Sequence, residues 1–330
     1  MLKFFGYSGI LARGVRSRCC SVALTSQADA QDSSLNAIAD HSHQPITVRS
    51  KPVIERLPVK VVRPIDLAMT SRNQILIADS GAECIFQLEP DGTVSLRAEK
   101  LSDIKRICVD ADDSVYVLTS TSGESRIHQI TPDGKQAILH QLAAPATCFA
   151  RMPNGDFAVA GNKLFLASFD AAPRLLQDLN QPAVDMTLHS SGGAELLFGS
   201  GVVMSLASSG ELNLRGTVPP ASHRLIALPD GRLAGLAADG LQKTGLFALT
   251  PENQPLDIQA PGAHDAVAHV PHGTLAVGFD QLGNLALANP DLRAITKVTS
   301  HFEVPCPHCG KPTRLNMVPT DPSGSDTTSY

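Results

Sequence analysis

Residues 304–315 read VPCPHCGKPTRL and hold the densest chemical spacing in the chain. Cys306 and Cys309 have the separation of a dithiol–disulfide couple, or of two thiolate ligands on one tetrahedral zinc. A redox pair of this kind needs its first thiol at a helix N-terminus, where the dipole lowers the thiol pKa. Gly310, Lys311 and Pro312 follow at once, and Pro312 opposes a helix at that point. The spacing therefore points to half of a zinc site, with His301 as a weaker additional ligand, or to an idle turn. The remaining groups able to do chemistry are scattered singly: Asp66, Arg106, Thr147, Asp185, His223 or Arg224, and Asp265. They make a site only if the fold brings them together, so the elements that carry them decide the reading.

Those elements repeat. Six stretches, starting near Pro64, Lys105, Ala146, Ala183, Ser222 and His264, each hold four short apolar runs closed by turn signals. The first turns read SRNQ, ADDS, MPNG, SSGG, LPDG and VPHG, and a second set reads EPDG, TPDG, SSGE and TPEN. Proline presets φ in such turns, and Asn, Asp and Gly accept the backbone geometry that closes a hairpin. Units of four antiparallel strands at a period near the ~40–45 residues of a propeller blade predict an all-β, six-bladed β-propeller. The propeller is expected over residues 51–303, with a leader and linker over 1–50 and a CxxC-bearing tail over 304–330. Both extensions are polar enough in composition to be read as disordered. The run Val53–Val62 is left over by this count; it is expected to add an outer strand to the last blade or to pack across the first.

Within the first unit, ILIADSGAECIFQLEPDGTV resembles the NHL repeat, which runs from a strand into ADSGN, an apolar strand and PDG. The second unit, VYVLTSTSGESRIHQITPDG, is similar but departs at the ADSGN position, and later units keep only the spacing and turns. The resemblance implies a propeller and leaves its function open, since such propellers serve as enzymes, binding scaffolds and signalling domains. In the tail, CPHCGK resembles half of a zinc-ribbon knuckle, which implies a structural zinc whose other ligands lie elsewhere.

Innermost propeller strands enter the central channel from one face, so the residue heading each should point toward a common axis. Aligned on the first turn, Asp66, Arg106, Thr147, Asp185, His223 and Asp265 hold that position, with Arg224 replacing His223 if the fifth hairpin is longer. Loops between second and third strands open on the same face and add Asp79, Ser120, Asp239 and Asp280. Converging carboxylates could hold Ca²⁺, and with His223 as a base such a site would hydrolyse an ester or lactone. Six-bladed hydrolases of the gluconolactonase and paraoxonase type are similar in placing their site there, but they use Glu and Asn ligands, which these positions lack. Alternatively the acids pair with the arginines around the channel mouth. The sequence is then read as a non-enzymatic module that binds or scaffolds another protein, with the metal-dependent hydrolase as the alternative.

Composition narrows the remaining classes. The formal charge of −5, with acids and bases interspersed, supplies no basic field for nucleic acid or an anionic membrane. Cys84, Cys108 and Cys148 sit singly in apolar runs and read as small buried hydrophobes. No apolar run approaches the ~20 residues of a membrane-spanning helix. The N-terminal stretch carries Lys3, Arg13, Arg16 and Arg18 and no acid before Asp29, which reads as a transit peptide in a eukaryote or an export signal in a bacterium.

Overall fold

The computed structural model describes residues 53–189, 192–207, 209–228, 233–239, 243–251, 266–279, 284–299, 302–305 and 312–315. The chain divides into two units, Met1–Thr47 and Val48–Tyr330, and every described residue belongs to the second. The leader, its linker and most of the tail lie outside the described residues.

That unit is an all-β, six-bladed propeller. Blade one runs Pro64–Met69, Ile75–Asp79, Cys84–Leu88 and Val94–Ala98 from the inside out. Blade two runs Ile104–Val109, Val115–Ser120, Ser125–Ile130 and Gln136–Leu142, and blade three Ala146–Arg151, Phe157–Gly161, Lys163–Ala167 and Arg174–Asp178. Blade four runs Ala183–Leu188, Ala194–Phe198, Val202–Leu206 and Leu212–Thr217, and a short segment, Thr250–Pro251, pairs onto its outer edge. The second strands are buried along their whole length in blades one to four, as ILIAD and FAVAG show. Each is packed between two neighbouring blades, so it reads as a continuous apolar run rather than an alternating one. The predicted PDG turns follow the third strands of blades one and two, where Gly92 and Gly134 adopt φ of 89° and 83°. Glycine takes that left-handed conformation without the Cβ clash any other residue would meet.

The last two blades correct the register of the repeat. The fourth strand of blade five is Ala266–Val270, paired with Lys243–Ala248, whereas the sequence reading made AVAHV the first strand of blade six. Blade six therefore starts at Ala276–Phe279, continues through Leu285–Asn289 and Ala294–Thr299, and needs a fourth strand from elsewhere. Val53–Arg56 supplies it, pairing antiparallel with Ala294–Thr299 from Val53↔Thr299 to Arg56↔Thr296. The left-over N-terminal run thus adds the outer strand of the last blade, one of its two expected places. The ring is closed by strands from both ends of the propeller.

From Arg56 the chain crosses to blade one, burying Val59 and Val61 with Leu67, Ile77, Ala286 and Ala288. Asp79 anchors this crossing. Its carboxylate accepts N–H bonds from Val62 at 2.6 Å, Arg63 at 2.9 Å, and Gly81 and Ala82 at 3.0 Å each. Gly81 is required by the close approach, since a Cβ there would lie 2.7 Å from Val62 Cγ1. The ADSG stretch is therefore a closure device, and Asp79 is spent on backbone amides rather than offered to a ligand.

Candidate functional site

Strand pairing fixes which residues share a level around the axis. Asp66, Arg106, Cys148, Asp185, Arg224 and Ala276 pair with Ala78, Leu118, Ala160, Leu197, Leu236 and Ala288, which are equivalent positions on the six second strands. Three of the predicted ring residues, Asp66, Arg106 and Asp185, hold this level, and at the fifth blade the alternative Arg224 holds it rather than His223. Thr147 does not. It is the bulged residue just before that level, as Ile65, Lys105 and Val184 are in blades one, two and four, and its Oγ1 donates to Ala183 O of blade four at 2.6 Å, with Ala160 O at 3.2 Å. Asp265 lies outside the described residues, and Ala276 occupies the sixth position because blade six begins later than the repeat implied.

Four of the six form a compensated cluster. Arg106 Nη1 lies 3.0 Å from Asp185 Oδ1 and Arg106 Nε lies 3.4 Å from Asp66 Oδ2. Arg224 Nη1 lies 3.6 Å from Asp185 Oδ1, and its Nη2 lies 3.9 Å from Asp66 Oδ1. Side-chain exposure is 13% for Arg106, 12% for Arg224, 5% for Asp66 and 0% for Asp185, so little solvent screens these charges. Burial alone would favour loss of the Arg106 proton, but Asp185 and Asp66 outweigh it and raise its pKa.

The same residues fasten one blade to the next. Asp66 Oδ2 accepts the Ile107 N–H at 2.8 Å, tying blade one to blade two, and Asp185 Oδ2 accepts the Leu225 N–H at 2.7 Å, tying four to five. Arg224 donates to Leu275 O of blade six at 2.9 Å and to Ile65 O of blade one at 2.5 Å. His223 reaches Thr274 O at 3.2 Å; a carbonyl only accepts, so Nε2 carries the proton and Nδ1 is the free acceptor. Burial lowers the His223 pKa, which keeps the ring neutral at pH 7. Between blades two and three the fastening comes from Ser120 and Ser125, whose hydroxyls accept the Ala146 N–H at 3.0 and 2.7 Å. Asp239 lies in the second strand of blade five, and Asp280 lies outside the described residues.

This arrangement does not suit a divalent cation. Each carboxylate has one oxygen on a backbone N–H and the other facing guanidinium groups, so a Ca²⁺ there would sit against two positive charges. Among the described residues no group of three or more His, Cys, Asp or Glu side chains is placed to hold a metal ion. Nor is a thiol nucleophile present at this level. Burial, reinforced by Asp185, pushes Cys148 up to about 12, and burial does the same to Cys108.

Below the cluster the channel widens into a cavity of about 290 Å³. Asp66, Arg106 and Arg224 form its polar end; Leu67, Met69, Ile226, Val277 and Phe279 supply most of the apolar wall. Two small residues of blade six, Ala276 and Gly278, leave the space open. Asp66 and Ala276 are buried at the polar end, while Met69, Ala227, Thr187 and Phe279 at the other end are partly exposed. The cavity thus opens on the face that carries the turns between first and second strands, opposite the mouth predicted from the sequence. Arg106 Nε and Asp185 Oδ1 are buried in ion pairs without hydrogen-bond geometry, so charge rather than directed hydrogen bonding holds them.

Cys306, Cys309 and His301 lie outside the described residues. The strands around the cysteine pair are described: Phe302–Pro305 and Pro312–Leu315 form an antiparallel hairpin in register from Phe302↔Leu315 to Pro305↔Pro312. The segment that follows the propeller therefore begins with a two-stranded element, and the stretch after Leu315 lies outside the described residues. Among the described residues no helix is long and apolar enough to cross a membrane.

No family model matches the chain, and no curated relative matches it. Solved structures do. Virginiamycin B lyase from Staphylococcus aureus is similar over 76% of this chain and 99% of its own, with a TM-score of 0.58 at 17% identity. A gluconolactonase from Xanthomonas campestris is similar over 75% of this chain and 89% of its own, with a TM-score of 0.59 at 11% identity. A luciferin-regenerating enzyme is similar over 76% of this chain and 96% of its own, with a TM-score of 0.56 at 12% identity. At these identities the likeness establishes the fold, a six-bladed propeller.

Proposed function

We propose that the propeller works on a small molecule held in the channel cavity, and that hydrolytic opening of an ester or lactone is its reaction class. The observation that carries this reading is the cavity itself: a chamber with an apolar wall and the guanidiniums of Arg106 and Arg224 at its polar end. Guanidinium N–H groups aimed at a carbonyl oxygen would stabilise the negative charge that develops there during attack by water. Lyase, gluconolactonase and luciferin-regenerating enzymes among the fold neighbours support a small-molecule enzyme over a pure scaffold. The residues do not fit a carboxylate-bound metal, so no step is assigned to one. His223 does not line the cavity and its ring is held on Thr274 O, so the role of base is not assigned to it. The test is turnover of a panel of aryl esters and lactones, with and without a chelator. Turnover that survives chelation supports the reading, and no turnover of any member overturns it.

Protein binding is the second reading, and one observation favours it. Leu96, Ile138, Leu175 and Leu214, at equivalent positions on the outer strands of blades one to four, are 54%, 52%, 43% and 44% exposed. A belt of aliphatics in register around the rim offers a repeated apolar contact. The ADSG closure turn of blade one supports an NHL-type ancestry for these blades. Zinc at Cys306 and Cys309 is proposed separately: the Phe302–Leu315 hairpin supports a knuckle, and the remaining ligands would come from His301 or a second chain.

A further inference from the structure

The polar end of the cavity is electrically balanced, and this sets what can bind. Asp66 and Asp185 supply two negative charges and Arg106 and Arg224 two positive ones, all largely shielded from solvent. One oxygen of each carboxylate is already taken by a backbone N–H, so neither carboxylate can turn away without orphaning a buried donor. A ligand that brought a further charge into this place would leave it uncompensated beside an apolar wall. A neutral acceptor oxygen faces no such penalty. It can take a hydrogen bond from the guanidinium groups of Arg106 and Arg224, which line this end of the cavity.

Resting on the proposed small-molecule reading, we infer that the cavity selects uncharged carbonyl compounds with a compact apolar body and excludes the corresponding carboxylates. The ligand enters from the face of the first turns, past Met69 and Phe279, carbonyl end foremost. For an ester or lactone this separates substrate from product by charge. Water adds its oxygen to the carbonyl carbon, the acyl–oxygen bond breaks, the departing oxygen takes a proton, and the new acid loses one at neutral pH. The product that remains is an anion in a site that is already neutral, which favours its release.

The experiment uses the full chain and a matched pair of probes, γ-nonalactone and its ring-opened 4-hydroxynonanoate, titrated at pH 7.5 by calorimetry or ligand-observed NMR. The lactone is expected to bind at least tenfold more tightly than the hydroxy acid. In Asp66→Asn, which keeps an acceptor for the Ile107 N–H but leaves a net positive cluster, the hydroxy acid is expected to gain at least tenfold. Should Asp66→Asn fail to fold, Gly278→Val is used instead: a Cβ at Gly278 meets Leu67 and Met69 atoms at ordinary distances of 3.7–3.8 Å, and the two further methyls of valine narrow the cavity. It is expected to weaken lactone binding by at least tenfold. Hydroxy acid binding as tight as lactone binding, no binding of either, or lactone binding indifferent to Gly278→Val each overturns the inference. Lactone binding with no turnover sinks the hydrolytic reading and leaves the charge selection standing.

Discussion

Arg106 Nη1 stands 3.0 Å from Asp185 Oδ1, joining blade two to blade four directly across the channel. The same oxygen also faces Arg224 Nη1 at 3.6 Å, so one carboxylate holds two guanidiniums apart. Removing it as Asp185→Ala leaves both cations buried and near each other, and frees the Leu225 N–H. The expected loss is about 3–5 kcal/mol of unfolding free energy, the usual cost of orphaning a buried ion-pair partner. Urea denaturation measures it. A loss below about 1 kcal/mol would show that water screens the cluster as it would a surface ion pair.

Ring closure has its own anchor in Asp79, whose four accepted N–H bonds fix the crossing from Arg56 to blade one. Asp79→Ala is expected to cost at least about 2 kcal/mol, because several amides lose their acceptor at a buried seam. Hydrogen exchange should rise selectively at Val62 and Arg63 and along Val53–Arg56. Uniform exchange across all blades would instead mean that the seam does not depend on this carboxylate.

Acid sensitivity follows from two buried histidines, His128 and His140, and a half-buried one, His223. Burial lowers the pKa of His128, His140 and His223 from the ordinary value of 6.5. Arg126 adds to the effect at His128, while Asp156 opposes it at His140. As pH falls, the unfolded chain therefore takes up these protons before the folded one. Their neutral burial costs nothing above about pH 6.5, and stability is lost progressively as pH drops below it. Melting temperature measured from pH 7.5 to 5.5 should fall, with a shallower fall in His140→Leu. A flat profile would contradict the burial assigned to these rings.

Much of this fold is legible in the sequence because its signals are local. The turns between first and second strands announce hairpins at a fixed period, and SRNQ, ADDS and SSGG set the register that finds Asp66, Arg106 and Asp185. Thr147 falls one residue short because MPNG sits one place earlier in its hairpin than SRNQ does: Arg151 pairs with Phe157 across residues 152–156, and Met69 with Ile75 across residues 70–74. Asp265 was placed on the axis because an apolar run such as AVAHV serves equally well as a first or a fourth strand; only pairing with Lys243–Ala248 tells them apart. The role of Val53–Arg56 depends on a partner more than two hundred residues away, which no local pattern encodes. The cavity was missed because it is made by small residues, Ala276 and Gly278, that carry no chemical signal of their own.

For the tail, zinc content is the direct check. Purified protein is expected to contain zinc at a stoichiometry set by the number of chains sharing each site, and Cys306→Ser is expected to abolish it. Metal-free wild-type protein would leave Cys306 and Cys309 as a turn without a ligand role.

The channel cavity as the working site is tested most directly by comparing ester and lactone turnover in the wild type and in Gly278→Val at matched melting temperature. The Cβ meets Leu67 and Met69 at ordinary van der Waals distances, and the comparison at matched melting temperature separates narrowing of the chamber beside Met69 from any loss of folding. The account expects wild-type turnover that resists chelators and at least a tenfold loss in the variant. Turnover that is unaffected by filling the chamber, or absent from the wild type, would contradict it.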